Sequence, residues 1–143
     1  MLATKYRPNT FSEVVGQQAV IKILQRQIEL DKISQCYLFC GASGCGKTTL
    51  ARIFAKELNG SFNGLVEMDA ASNNGVDNVR SIVEDAKQRS ISSKYKVFII
   101  DECQSITTQG WQAFLKCIEE PPKFTIFIFC TTDPQKVPVE ANG

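Results

Sequence analysis

Three short stretches hold the residues that could do chemistry. The first is Gly41-Ala42-Ser43-Gly44-Cys45-Gly46-Lys47-Thr48-Thr49. It fits G-x-x-x-x-G-K-[ST], the pattern of a loop that wraps phosphate. Glycines let backbone N–H groups close around phosphate oxygens, and the helix that follows adds its positive end. In that pattern Lys47 reaches the β- and γ-phosphates and the Thr48 hydroxyl binds Mg2+. Gly41, Ser43, Gly44, Cys45, Gly46, Lys47, Thr48 and Thr49 are therefore candidate nucleotide contacts. The second stretch is Asp101-Glu102, at the end of the apolar run Val97-Phe98-Ile99-Ile100. Asp101 would hold the metal together with Thr48, usually through water. Glu102 would orient or deprotonate an attacking water. The third is Thr131-Thr132, closing the run from Phe124. A hydroxyl there could touch a γ-phosphate or its water. By residue type alone, a pair of threonines capping a turn is the plainer reading.

These residues need elements to position them. Val20, Ile23, Leu24 and Ile28 mark a helix by their spacing. Cys36 to Cys40 reads as a buried strand, and Lys47 to Leu58 as the helix behind the phosphate loop. Leu65 to Asp69 predicts a second strand, and Val76, Val79, Val83 and Ala86 a further helix. Lys96 to Ile100 predicts a third strand. Trp111, Phe114, Leu115 and Ile118 fit a helix that Pro121-Pro122 ends. Thr125 to Cys130 predicts a fourth strand. Strands and helices alternate, and the strands are almost continuously apolar, which predicts a parallel sheet covered on both faces. In such sheets ligands sit beyond the carboxyl ends of the strands.

The 143 residues suit one domain. A chain that is 43% hydrophobic and 22% charged has an ordinary globular composition. With a net charge of +1 it is not a strongly basic nucleic-acid protein, so any contact to DNA must be local or shared. No apolar run has membrane-spanning length. The N-terminal sequence has no apolar signal-peptide core, so the cytoplasm is the expected location. Histidine is absent, which removes imidazole chemistry. The six cysteines form no C-x-x-C pair. They read as reduced, mostly buried thiols, with no zinc site.

Several motifs together carry a resemblance: Lys5 to Gln17 (KYRPNTFSEVVGQ), Gly41 to Asn59, Glu67 to Ile82 (EMDAASNNGVDNVRSI), Lys96 to Thr107, Ala113 to Pro122 and Cys130 to Pro138 (CTTDPQKVP). Over most of its length the chain resembles the bacterial DNA polymerase III gamma/tau family, the AAA+ motors of sliding-clamp loaders. The resemblance implies a three-layer αβα P-loop NTPase core over residues 1–143, using ATP and Mg2+. It implies that Tyr6, Arg7, Pro8, Val15 and Gly16 cradle adenine. Lys47 and Thr48 become the Walker A pair, and Asp101 and Glu102 the Walker B pair. Thr132 becomes the sensor of the γ-phosphate, which reverses the plainer reading above, and the catalytic set is Lys47, Glu102 and Thr132. The implied partners are delta, delta-prime and further gamma/tau subunits, the sliding clamp, and primed DNA through the assembled complex, with no membrane. The basic stretch Arg80, Lys87, Arg89, Lys94 and Lys96 reads most simply as a solvated face; the alternative is that Arg80 meets DNA phosphates.

The chain departs from this family in three places. The four-cysteine zinc insertion common after the Walker A helix is missing between Asn59 and Leu65. The family's DExH-like box reads Asp101-Glu102-Cys103-Gln104, a change of little apparent consequence because both acids remain. After Pro138 the sequence leaves the family's path toward a Ser-Arg-Cys motif. The expectation is a core without the trans-acting arginine, fifth strand, helical lid or oligomerisation region. It would bind ATP weakly and hydrolyse it very slowly alone, because such an arginine is worth about 10³ to 10⁵ in rate. Alternatives are a non-hydrolysing nucleotide-binding assembly module, another AAA+ ATPase of replication or repair, and a nucleotide kinase. The kinase lacks acceptor-binding arginines here.

Overall fold

The computed structural model describes residues 18–41, 46–88, 90 and 92–138, with the backbone alone for 18–21. Tyr6, Arg7, Pro8, Val15, Gly16, Ser43, Gly44, Cys45 and Arg89 lie outside the described residues. Among the described residues four α-helices and four strands alternate: α1 (Gln18–Glu29), β1 (Cys36–Cys40), α2 (Lys47–Asn59), β2 (Leu65–Asp69), α3 (Val76–Ala86), β3 (Lys96–Asp101), α4 (Thr108–Glu119) and β4 (Thr125–Thr131). The four strands form one sheet in the order β1-β4-β3-β2, with every pair parallel. Parallel neighbours require crossovers, and the helices supply them.

The two faces of the sheet divide the core by the period-2 alternation of strand side chains. Val97, Ile99, Ile126, Ile128 and Cys130 turn to the face covered by Leu24 of α1 and by Leu50, Ile53 and Phe54 of α2. Phe98, Ile100, Phe127 and Phe129 turn to the other face, against Val79 of α3 and Trp111 and Phe114 of α4. This is the expected three-layer α/β fold. Phe98 sits opposite Phe127 in the β3–β4 register, and their rings stack at 5.3 Å. Phe114 meets Phe127 and Phe129 edge-on, at 6.0 and 5.3 Å, the arrangement that the charge distribution of aromatic rings favours.

Local signals explain the boundaries. The Thr107 side chain accepts a hydrogen bond from the Gly110 N–H at 3.1 Å and caps the start of α4. Pro121 disfavours helical geometry in Glu120, and α4 stops at Glu119. Gly64 has φ +79°, and a Cβ there would fall 2.1 Å from Ser93 Oγ, so only glycine fits the turn into β2. Three details differ from expectation. β3 and β4 each run one residue further, taking Asp101 and Thr131 into the sheet. Ile23, expected on the buried stripe of α1, is 58% exposed, whereas its neighbour Leu24 is 3% exposed. Cys40 is exposed, and Cys36 and Cys117 are half-buried; among the described cysteines, only Cys103 and Cys130 are buried.

Candidate functional site

The strand order gives the site its frame. β4 lies between β1 and β3, so three carboxyl ends stand side by side. They carry the start of the glycine-rich loop, Thr131-Thr132 and Asp101-Glu102. The Gly41 N–H donates to the Thr131 carbonyl at 3.2 Å, which fastens the loop's first residue to the end of β4. At the other end of the loop, Gly46 has φ +87° and serves as N-cap of α2 with no side-chain cap. A residue with a Cβ would be strained there. The helix ladder begins where the Leu50 N–H meets the Gly46 carbonyl at 2.8 Å.

Lys47 is 7% exposed. Among the described residues it makes no hydrogen bond and no ion pair. An ammonium group this deep without an anion is costly, and an anion such as a phosphate would remove the cost. Thr48 and Thr49 follow in the first turn of α2, both half-buried. The donors fit a magnesium nucleotide: a buried cation with no anionic partner among the described residues, a hydroxyl at a helix start and a carboxylate at a strand end. Among the described residues, no group of three or more Cys, Asp or Glu could hold a metal. Mg2+ suits such a sparse set, because it keeps several waters and takes further oxygens from phosphates.

Asp101 closes β3, and its Oδ1 accepts the Glu102 N–H at 3.0 Å. Its backbone carbonyl takes the Ala70 N–H at 2.9 Å, tying β3 to the turn after β2. Glu102 has φ 52° and ψ 45°, left-handed geometry in a residue that is not glycine. Such strain persists only where surrounding contacts fix it. A 3₁₀ turn at Cys103–Ser105 follows, in which the Ser105 N–H donates to the Glu102 carbonyl at 3.0 Å. Beside these acids, Arg52 of α2 grips Glu67 of β2 with two hydrogen bonds, 2.8 and 2.7 Å. The Glu67 hydrogen bond holds the Arg52 guanidinium above its ordinary pKa, and the charge of Asp101 adds to the shift. Burial pushes the thiols beneath the site upward, Cys103 to about 12 and Cys130 further still.

The two threonines have different surroundings. Thr131 is buried, and its Oγ1 accepts the Asp133 N–H at 2.9 Å. It therefore caps the turn in the manner its residue type suggested. Thr132 is half-buried, and its Oγ1 accepts from Gln104 Nε2 at 3.2 Å. The same Nε2 donates to Glu102 Oε2 at 3.1 Å. Gln104 thus joins two of the candidate catalytic residues, Glu102 and Thr132. Sequence reasoning passed over it, and its one local signal was an amide two residues after the acid. The basic stretch is largely engaged. Arg80 lies 3.8 Å from Asp77 and Lys87 lies 3.1 Å from Glu84. Lys96 pairs with Asp85, and Lys94 lies over the Tyr95 ring.

Residues 16–75 and 63–139 match the family described as DNA polymerase III, delta subunit. Individual relatives are gamma/tau proteins. The DNA polymerase III subunit gamma/tau of Mycobacterium bovis is 42% identical, over 95% of this chain and 28% of its own length. The subunit tau of Bacillus subtilis is 41% identical, over 94% and 28%; that of Escherichia coli is 38% identical, over 97% and 25%. The chain thus spans about a quarter of the length of these relatives. The fold matches a Thermotoga maritima RuvB Holliday junction branch migration motor with a TM-score of 0.74 and 22% identity, covering 95% of this chain and 45% of the other. It also matches a DNA polymerase III gamma subunit-related protein of Thermotoga maritima with a TM-score of 0.69 and 18% identity, covering 82% and 42%. Among the described residues no helix is long and apolar enough to cross a membrane. The family description names a delta subunit, but identity sustained over nearly the whole chain points within that family to gamma/tau. On these grounds the chain belongs to the DNA polymerase III subunit family, stands with its gamma/tau members, and has the α/β fold of AAA+ proteins.

Proposed function

We propose that this chain is the ATP-binding and ATP-hydrolysing core of a DNA polymerase III clamp-loader motor, working in the cytoplasm. The observation that carries the reading is a buried Lys47 with no anionic partner among the described residues, beside three adjacent strand ends that bear Thr48's helix, Asp101-Glu102 and Thr131-Thr132. Lys47 and the N-terminal N–H groups of α2 bind the β- and γ-phosphates. Thr48 and Asp101 hold Mg2+, which when bound neutralises charge on the phosphates. Glu102 accepts the proton of the attacking water. Thr132 holds the γ-phosphate or that water through its hydroxyl. Tyr6, Arg7, Pro8, Val15 and Gly16 are assigned to the adenine, and Gly41, Ser43, Gly44, Cys45, Gly46 and Thr49 to the phosphates. A non-hydrolysing assembly module is the weaker reading, because Lys47, Thr48, Asp101 and Glu102 are all present together. The delta and delta-prime subunits, further gamma/tau copies, the sliding clamp and primed DNA are the partners this reading assigns to the assembled complex.

Titration of a fluorescent ATP analogue with and without Mg2+ tests the metal site. Chelation should weaken binding about tenfold, which is about 1.4 kcal/mol. Asp101→Asn should show the weakened affinity even with Mg2+ present. Affinity that ignores both the metal and the substitution would remove Asp101 from the metal site.

A further inference from the structure

Gln104 sits where both N–H donors of its amide and its carbonyl oxygen are engaged. Nε2 donates to Glu102 Oε2 at 3.1 Å and to Thr132 Oγ1 at 3.2 Å. Oε1 accepts from Thr131 Oγ1 at 2.7 Å. Thr131 Oγ1 already accepts the Asp133 N–H at 2.9 Å, so its own hydrogen is free to reach Gln104. The amide has one satisfactory orientation, because a flip would set its oxygen against the Glu102 carboxylate. The 3₁₀ turn that carries Gln104 is anchored by two buried neighbours, Cys103 and Ile106. Glu102 itself has strained left-handed backbone, so its carboxylate needs an outside restraint to keep one direction.

We propose that Gln104 is a positioning residue: it fixes the Glu102 carboxylate and couples it to Thr132, so that occupancy at Thr132 is transmitted to the water-activating acid. The proposal rests on the nucleotide-site reading above. With one oxygen held by the amide, Glu102 turns the other toward the water.

The test compares Gln104→Met, which keeps side-chain length without the amide, with the wild-type chain. Two quantities are measured: Mg-ATP affinity, and the single-turnover hydrolysis rate with the chain in excess. Affinity should stay within about twofold, whereas the rate should fall about 10- to 100-fold. In a Glu102→Gln background the same substitution should cost nothing further, because Gln104 acts through Glu102. The side-chain amide resonances of Gln104 should shift in Thr132→Val if the bridge exists. A wild-type rate in Gln104→Met, an equal further loss in the Glu102→Gln background, or unmoved amide resonances would overturn the proposal. A purely structural role would instead lower Tm and weaken Mg-ATP affinity along with the rate. Failure of the wild-type chain to bind Mg-ATP would overturn the nucleotide-site reading, and this proposal with it.

Discussion

Glu102→Gln should lower the single-turnover rate of ATP hydrolysis by about 10²- to 10⁴-fold, the usual contribution of a general base. Nucleotide affinity should be nearly unchanged. The substitution is a narrow one. Glu102 touches the rest of the site through Oε2, which accepts from Gln104. A glutamine amide keeps an oxygen for that bond and fits the same volume. The strained backbone at position 102 is set by hydrogen bonds to Asp101 and Ser105, which the substitution leaves intact. The variant therefore loses proton-accepting capacity and little else. A fall in rate at constant affinity is the pattern of an interaction made only in the transition state. Normal turnover in the variant would mean that Glu102 does not activate the water.

Phe114→Ala should destabilise the chain by about 3–5 kcal/mol, the cost of emptying a phenylalanine-sized site in a packed core. Phe114 is fully buried in α4 and meets Phe127 and Phe129 of β4 edge-on. Those rings in turn stack on each other, and Phe127 also stacks on Phe98 of β3. The contact joins the α3–α4 layer to the two central strands, so the cavity would open at the middle of the sheet. Against a total stability of about 5–15 kcal/mol, the loss is a large fraction. Chemical denaturation should move to a lower midpoint with an unchanged slope. Ile23→Ala is the matched control: the side chain is mostly exposed, and its removal should stay within about 0.5 kcal/mol. Similar losses in the two variants would contradict this account of the core.

The strands were legible in the sequence because both faces of the sheet are covered, which makes Val97 to Ile100 and Phe127 to Cys130 continuous apolar runs. The strand ends were misjudged by one residue for a related reason. Asp101 and Thr131 are polar, so hydrophobicity stops before the hydrogen-bonded ladder does. Ile23 misled because helical spacing marks a stripe without fixing its width, and α1 buries Leu24 while leaving Ile23 in solvent. The phosphate loop and the paired acids were legible because their chemistry requires particular residues at fixed spacing. The bridge through Gln104 was not. Its partners Thr131 and Thr132 lie 27 and 28 positions away, and only the packing of β3 beside β4 brings them together. The Arg52–Glu67 pair escaped notice for the same reason, since it joins α2 to β2 across 15 positions. The adenine-cradle assignment of Tyr6, Arg7, Pro8, Val15 and Gly16 still rests on the family resemblance.

The central claim is that Gly41 to Thr49 binds the phosphates of a nucleotide, and Lys47 tests it most directly. The measurement is equilibrium titration of a fluorescent ATP analogue with Mg2+, on the wild-type chain and on Lys47→Ala, with unfolding of both variants followed in parallel. The side chain is buried and has no anionic partner among the described residues, so alanine removes a charge that a bound phosphate would satisfy. The wild-type chain should bind saturably and Lys47→Ala about 100-fold more weakly, a loss of about 2.7 kcal/mol. The variant should remain folded. Equal affinity in the two chains would contradict the claim that this loop binds phosphate.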